Sequence, residues 1–200
     1  MFTSELDKLL VLHVGDLDEG VRRFEALQLK ISAAVDKVIQ EWAESNGWVS
    51  SKGKWEDGEA FVCPPDWVDA DGTELAWFAL DYGSGDLDDW KSGNDYFWVT
   101  RLCAEGAGQL GMRFGQDEFR KTAWKKFLQR NGSKLADTRF IFDDEPSFFL
   151  PVKVEKQTLA DGAEEENFEA AMAPFVEAFD YIKSIVARFD ELRDLMAAET

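Results

Sequence analysis

The chain has 200 residues, 40 acidic against 22 basic, for a formal net charge of −18 at pH 7. An apolar fraction of 45%, with 16 Phe, 8 Trp and 3 Tyr, is ample for a packed core, and the length suits one large domain or two small ones. A field of this sign repels nucleic acid and anionic membranes and attracts basic protein surfaces, so direct DNA or RNA binding, which needs Lys and Arg at the phosphates, is the first class excluded.

Cys63 and Cys103 are too few and too far apart for a zinc site. Both lie in apolar, strand-like surroundings, which predicts buried free thiols in a reducing compartment. The N-terminus has no basic segment of the secretory kind, and no run of about 18 apolar residues predicts a membrane span. The expected location is the cytoplasm of a bacterial host, with no membrane partner.

In chain order, residues 1–46 read as helical. A short helix over 3–12, capped by Thr3 or Ser4, ends at Gly15. A long one, capped by Asp16 or Asp18, stops at Gly47. Its apolar positions Phe24, Leu27, Ile31, Ala34, Val35, Val38 and Trp42 recur at three- and four-residue steps.

From Trp48 the period changes to that of strands: Trp48-Val49, Ala60 to Cys63, Leu75 to Tyr82, Tyr96 to Cys103 and Gln109 to Phe114, separated by Gly, Pro, Asp and Asn clusters. Gln116 to Arg130 reads as a helix with Phe119, Ala123, Trp124, Phe127 and Leu128 on one side. Arg139 to Phe142 and Phe148 to Val154 read as a strand pair across the turn Asp143 to Pro146, with Pro151 demoting the second toward an edge position or a bulge. The last forty residues are helical again, with a kink or restart at Pro174.

The fold class is therefore α+β: an antiparallel sheet of about five to seven strands with long N-terminal and C-terminal helices and one middle helix. It forms a single domain of three segments, 1–46, 47–160 with the helix 116–130 inserted, and 161–200. In the last helix Phe175, Ile182, Phe189 and Met196 fall at seven-residue intervals. They serve either as a face packed on the long N-terminal helix and the sheet, or as the seam of a homodimer.

Residues 66–95 carry nine carboxylates against one cation, Lys91, with Trp67, Trp77, Phe78, Tyr82 and Trp90 interleaved. Aromatic residues at that density mark a folded surface rather than an acidic tail.

Catalytic chemistry finds little support. Gly106, Gly108 and Gly111 form a GxGxxG, but the residues after it read as strand, where a dinucleotide site requires a helix. His13, the only histidine, has no nucleophile elbow to serve. Asp86, Asp88 and Asp89 lack EF-hand spacing. Asp143 or Asp144 before the strand Phe148 to Glu155 is similar to the layout of PD-(D/E)XK nucleases, yet the strand reads Val152-Lys153-Val154-Glu155-Lys156-Gln157 and lacks the triplet that supplies their lysine. No cofactor or metal is expected.

In being small, acidic and without motifs, the chain resembles the acidic DNA-mimic inhibitors of phage and mobile elements, such as anti-restriction and anti-CRISPR proteins. The resemblance is one of composition and covers no alignable residues. It implies a non-enzymatic protein that occupies the basic groove of a nucleic-acid-binding protein or ribonucleoprotein. The residues expected to make that contact are Asp66, Asp69, Asp71, Glu74, Asp86, Asp88 and Asp89, with Trp67 and Trp90 as anchors. Two alternatives stand beside it: a divergent metal-dependent nuclease-like domain using Asp143 or Asp144, and a dimeric structural component assembled through the Phe175 to Met196 stripe.

Overall fold

The computed structural model describes residues 4–83, 96–106, 108–142 and 147–199. Six strands form one antiparallel sheet in the order β1-β2-β3-β4-β6-β5. They are β1 (Val49–Ser50), β2 (Phe61–Cys63), β3 (Ala76–Gly83), β4 (Gln109–Gln116), β5 (Ile141–Phe142) and β6 (Phe148–Val152). The helices are α1 (Ser4–Leu12), α2 (Val14–Asn46), α3 (Trp98–Leu102), α4 (Lys121–Asn131), α5 (Lys156–Glu164) and α6 (Ala173–Ala197). The architecture is the α+β class read from the sequence.

The long central pair β3 and β4 sets the register. Ala76 pairs with Gln116 and Gly83 with Gln109, eight rungs without a bulge. Alternation along β3 sends Ala76, Phe78 and Leu80 to one face, where all three are buried. Leu110, Met112 and Phe114 of β4 lie on the same face and are buried with them. At Gly111 a Cβ would collide with the Leu150 carbonyl and the Phe149 ring, so only glycine lets β6 lie this close.

α6 closes that face. The Phe189 ring stands 4.9 Å from Phe78, 5.0 Å from Phe114 and 4.9 Å from Phe140. α2 packs on α6 through Trp42, whose ring lies 5.1 Å from Phe179 and whose Nε1 donates to Asp180 Oδ1 at 2.8 Å. Gly47, at φ 67°, ends α2 in the left-handed conformation that glycine adopts without strain, and its N–H reaches back to the last turn.

Five expectations are corrected. Residues 98–102 of the expected strand Tyr96 to Cys103 form a helix, because Val99 and Leu102, three apart, are the positions buried. The β propensity of Tyr-Phe-Trp-Val-Thr gives way to that packing. The break between the first two helices falls at His13 rather than Gly15, and the middle helix begins at Lys121 rather than Gln116. The Gln116 side chain instead holds the entering turn, accepting the Phe119 N–H at 2.7 Å. β6 is not an edge strand. However, β5 pairs only with Phe148 and Phe149, so Pro151 lies beyond the stretch where β6 needs donors on that side.

The fifth correction concerns the stripe of the last helix, which takes the first of its two expected roles, a face packed on α2 and the sheet, and not the second, a dimer seam. Phe175, Ile182, Phe189 and Met196 are each at most 1% exposed within the chain itself. The sheet and α2 have consumed that face, and it has no surface left for a second copy. Pro174 starts α6 in its first turn, where a missing N–H removes no helical bond.

Both cysteines are free and buried, Cys63 in β2 and Cys103 at the end of α3. Burial, and then the Glu74 charge, push the Cys63 thiol up to about 12. Burial likewise raises Cys103. Neither thiol is expected to react with a disulfide reagent at pH 8 in the native protein, and both should react on unfolding. Fast titration of either thiol before unfolding would contradict this placement.

Candidate functional site

The acidic hairpin ahead of β3 is built by local rules. Pro65 opens a single helical turn, Pro65–Trp67, and its ring presets the backbone there. Val68 and Glu74 pair across the hairpin. Asp69 Oδ1 accepts the N–H groups of Asp71 and Thr73, both at 2.9 Å, and Gly72 takes φ 82°. Asp66, Asp69 and Asp71 are exposed and Glu74 is half-buried. None of the four forms an ion pair with the described residues. The C-terminal half of α6 adds Asp190 and Asp194 nearby. Arg193 is placed among them, 2.7 Å from Asp194 Oδ1 and donating to the Asp66 carbonyl at 3.3 Å.

Trp67 is not a surface anchor. It is fully buried, 5.4 Å from the Phe78 ring and 5.8 Å from Phe114, and its Nε1 donates to Asp190 Oδ1 at 2.7 Å. The acids on either side of Trp67 face water because its indole takes the core. Asp86, Asp88, Asp89 and Trp90, like Asp143 and Asp144, lie outside the described residues. The chain leaves β3 at Gly83, the opposite end of the strand from the hairpin, about 24 Å away at the rise of an antiparallel strand.

At that far end lies a pocket that sequence reasoning missed. Its volume is about 710 Å³, and its walls are Trp55, Tyr82 and Trp98, with Glu25, Gln28, Glu56 and Asp81 around them. Trp55 forms the floor: the Tyr82 and Trp98 rings stand edge-on to it at 5.3 and 6.0 Å. Gln28 Oε1 is buried without a hydrogen-bond partner among the described residues. Glu25 and Glu56 are exposed and unpaired among those residues. Asp81 is held by Arg113 Nε at 2.6 Å, and Arg101 lies 4.7 Å over the Tyr82 ring. The exposed carboxylates of Glu25 and Glu56 beside aromatic rings give the mouth of this pocket a negative potential. No segment of 10 or 20 residues contains these groups; they come from α2, the 55–57 turn, β3 and α3.

The floor is positioned by Asp36 of α2, whose Oδ1 accepts the Trp55 N–H at 2.8 Å. Burial raises the Asp36 pKa, the hydrogen bond from Trp55 opposing it. A carboxyl whose folded value lies above its unfolded one costs stability as pH rises from its unfolded value through its folded value, and costs nothing below both. Asp36→Asn keeps the acceptor and removes the charge. It should therefore match or exceed the native stability at pH 7 and converge with it below about pH 4. Asp36→Ala leaves the Trp55 N–H unmatched and should lose about 1–3 kcal/mol in urea unfolding. Equal loss in both variants would show that the hydrogen bond does not hold the turn.

Other chemistry is sparse among the described residues. No group of three His, Cys, Asp or Glu side chains is placed to hold a metal ion, and no helix is long and apolar enough to cross a membrane. His13 is exposed beside Asp16 at 3.4 Å. Gly108 and Gly111 of the glycine motif lead into and lie within β4, so no helix N-terminus opens there. No family model, curated protein or solved structure matches the chain.

Proposed function

We infer that the protein is a non-enzymatic acidic binding protein that occupies the basic nucleic-acid-binding groove of a partner, as phage-encoded anti-restriction and anti-CRISPR inhibitors do. The partner would be a nucleic-acid enzyme or ribonucleoprotein of a bacterial cytoplasm. The observation that carries the reading is the pairing of two acidic features at opposite ends of β3. One is the hairpin with exposed Asp66, Asp69 and Asp71. The other is the aromatic pocket with Glu25 and Glu56 at its rim. Their separation of about 20–25 Å matches six or seven base steps of a duplex. The hairpin carboxylates stand in for phosphates. The pocket takes one Lys or Arg side chain, its alkyl stem against Trp98 and its charge toward the carboxylates. It supplies the aromatic anchor that Trp67 does not.

The test is a pull-down from bacterial lysate at low and then high salt, repeated with duplex DNA as competitor. A nucleic-acid enzyme that elutes with salt and is displaced by DNA supports the reading. Reversing Asp66, Asp69, Asp71 and Glu74 together to Lys should weaken that complex at least tenfold. Undiminished binding by the reversed protein would sink it.

A further inference from the structure

α2 and the start of α6 leave an open groove between them, of about 730 Å³. Its floor is Val38, Trp42, Phe168, Met172 and Val176. The walls rise at Ala33 and Ala34 on α2 and at Ala173 on α6, whose small side chains leave the mouth wide. On α2 the lining runs from Ala33 to Ser45, about 18 Å at the rise of a helix, or a little over three turns. At about 100° per residue these positions lie on the opposite side of α2 from Glu25 and Gln28, so the groove is separate from the aromatic pocket. It is also separate from the acidic hairpin, since Glu177 and Asp190 stand about 20 Å apart along α6.

The charged residues of the rim are the carboxylates of Glu41, Glu166, Glu169 and Glu177 and the ammonium of Lys37. Two of the carboxylates are already matched, Glu41 by Lys37 at 3.6 Å and Glu166 by Lys30 at 3.0 Å. Glu169 and Glu177 are exposed and have no ion-pair partner among the described residues. They stand on the α6 wall, roughly 12 Å apart along it. The α2 wall is therefore neutral and the α6 wall negative.

We propose that this groove docks a basic amphipathic helix of a partner protein. Length and charge both point there. A helix of three turns presents apolar side chains at i, i+3, i+4 and i+7 as one stripe, which the apolar floor between α2 and α6 matches in length. Two Lys or Arg side chains two turns apart on the flank of that helix meet Glu169 and Glu177 while their stems lie along the wall. The neutral α2 wall gives such cations no competing partner, so the basic flank of the docked helix is directed toward α6. A second copy of this chain does not supply the helix. Its exposed apolar segment, residues 4–20, carries Glu5, Asp7, Asp16, Asp18 and Glu19 against Lys8 alone, and like charges would meet at the rim. An anionic lipid surface is repelled for the same reason. The surface is thus a second contact, distinct from the hairpin and the aromatic pocket, and its chemistry is apolar with charge at the edge rather than charge throughout.

The experiment is fluorescence anisotropy in physiological salt, with the full chain titrated into a labelled helical peptide of about 14 residues, leucine at i, i+3, i+4 and i+7 and lysine on the flanks. Circular dichroism checks the folding of each variant. The native chain is expected to bind with a Kd on the order of 10 µM. It should bind at least tenfold less tightly to a peptide of the same composition whose leucines are spread around the helix, and to one with glutamate in place of lysine. Ala33→Arg with Ala173→Arg, both at exposed helical positions where arginine is well tolerated, should weaken binding at least tenfold. Glu169→Gln with Glu177→Gln should weaken it at least threefold and flatten its salt dependence. No saturation by 100 µM, equal affinity for the spread peptide, or indifference to the arginine substitutions would each overturn the proposal. So would a native dimer in sedimentation that the arginine substitutions dissolve, which would assign the groove to a second copy. The protein with Asp66, Asp69, Asp71 and Glu74 reversed to Lys should bind the peptide as the native chain does, so the result stands or falls apart from the proposed DNA mimicry.

Discussion

Phe189→Ala should destabilise the protein by about 3–5 kcal/mol, the usual cost of emptying a fully buried aromatic site. The ring is 0% exposed and meets four phenylalanines at once: Phe78 of β3, Phe114 of β4, Phe140 ahead of β5 and, at 6.0 Å, Phe148 of β6. Three strands and α6 share that contact, and the backbone cannot close around the hole without moving the helix off the sheet. Urea unfolding followed by far-UV circular dichroism measures the loss as a lower midpoint at unchanged slope. The same residue separates two accounts of α6. Were its stripe an intersubunit seam, Phe189→Glu would give a stable monomer. In this core it should instead give a chain with little native structure at 25 °C, because a carboxylate would be buried without a partner. A cooperatively folded, fully soluble Phe189→Glu protein would disprove the placement of α6.

The second large effect belongs to Arg113. Its side chain is 8% exposed, the most deeply buried cation among the described ion pairs. Its Nε donates to Asp81 Oδ2 at 2.6 Å and its Nη2 to the Tyr82 carbonyl at 2.7 Å, and its guanidinium lies 4.8 Å over the Phe149 ring. Asp81→Asn removes the carboxylate charge that the Arg113 Nε meets while keeping the shape of the site. The expected loss is about 2–3 kcal/mol, below the full cost of breaking a buried pair because Asp81 itself is 40% exposed. Replacing both partners, Asp81→Leu with Arg113→Met, should recover much of that loss, since two apolar side chains need no counter-charge. A single substitution as mild as the double one would mean that water reaches the pair. Since Asp81 also lines the aromatic pocket, the same single variant should loosen Tyr82 and Arg101, visible as altered near-UV circular dichroism.

How much of this was readable in advance follows from which interactions are local. The period of Phe24, Ile31, Val35 and Trp42 marks α2, and its glycine stop is where the structure has it, because both are decided within a few residues. Likewise β3 and β4 announce themselves by alternation and flanking turns. Trp98 to Leu102 misled because a run of β-branched and aromatic residues satisfies strand propensity, while the burial of Val99 and Leu102 is settled by the packing of α3 against β4. Trp67 misled for a similar reason. Flanking acids suggested a surface, but its partner Asp190 is 123 positions away in the chain. The hairpin carboxylates were legible as a cluster. The pocket was not, since Gln28, Trp55, Tyr82 and Trp98 meet only after the sheet has formed. The exposure of residues 4–20 was hidden by their own regularity, for their leucines carry the same spacing as a core helix, and spacing alone cannot show that they stay in water.

The sheet is bounded on both sides by strands of two residues, β1 and β5. Fibril growth recruits a new chain along a long, straight ribbon of unpaired backbone, and two residues offer almost none of it. The folded protein is therefore a poor template for edge-to-edge growth, and thioflavin fluorescence should stay flat when it is stored concentrated well below its melting point.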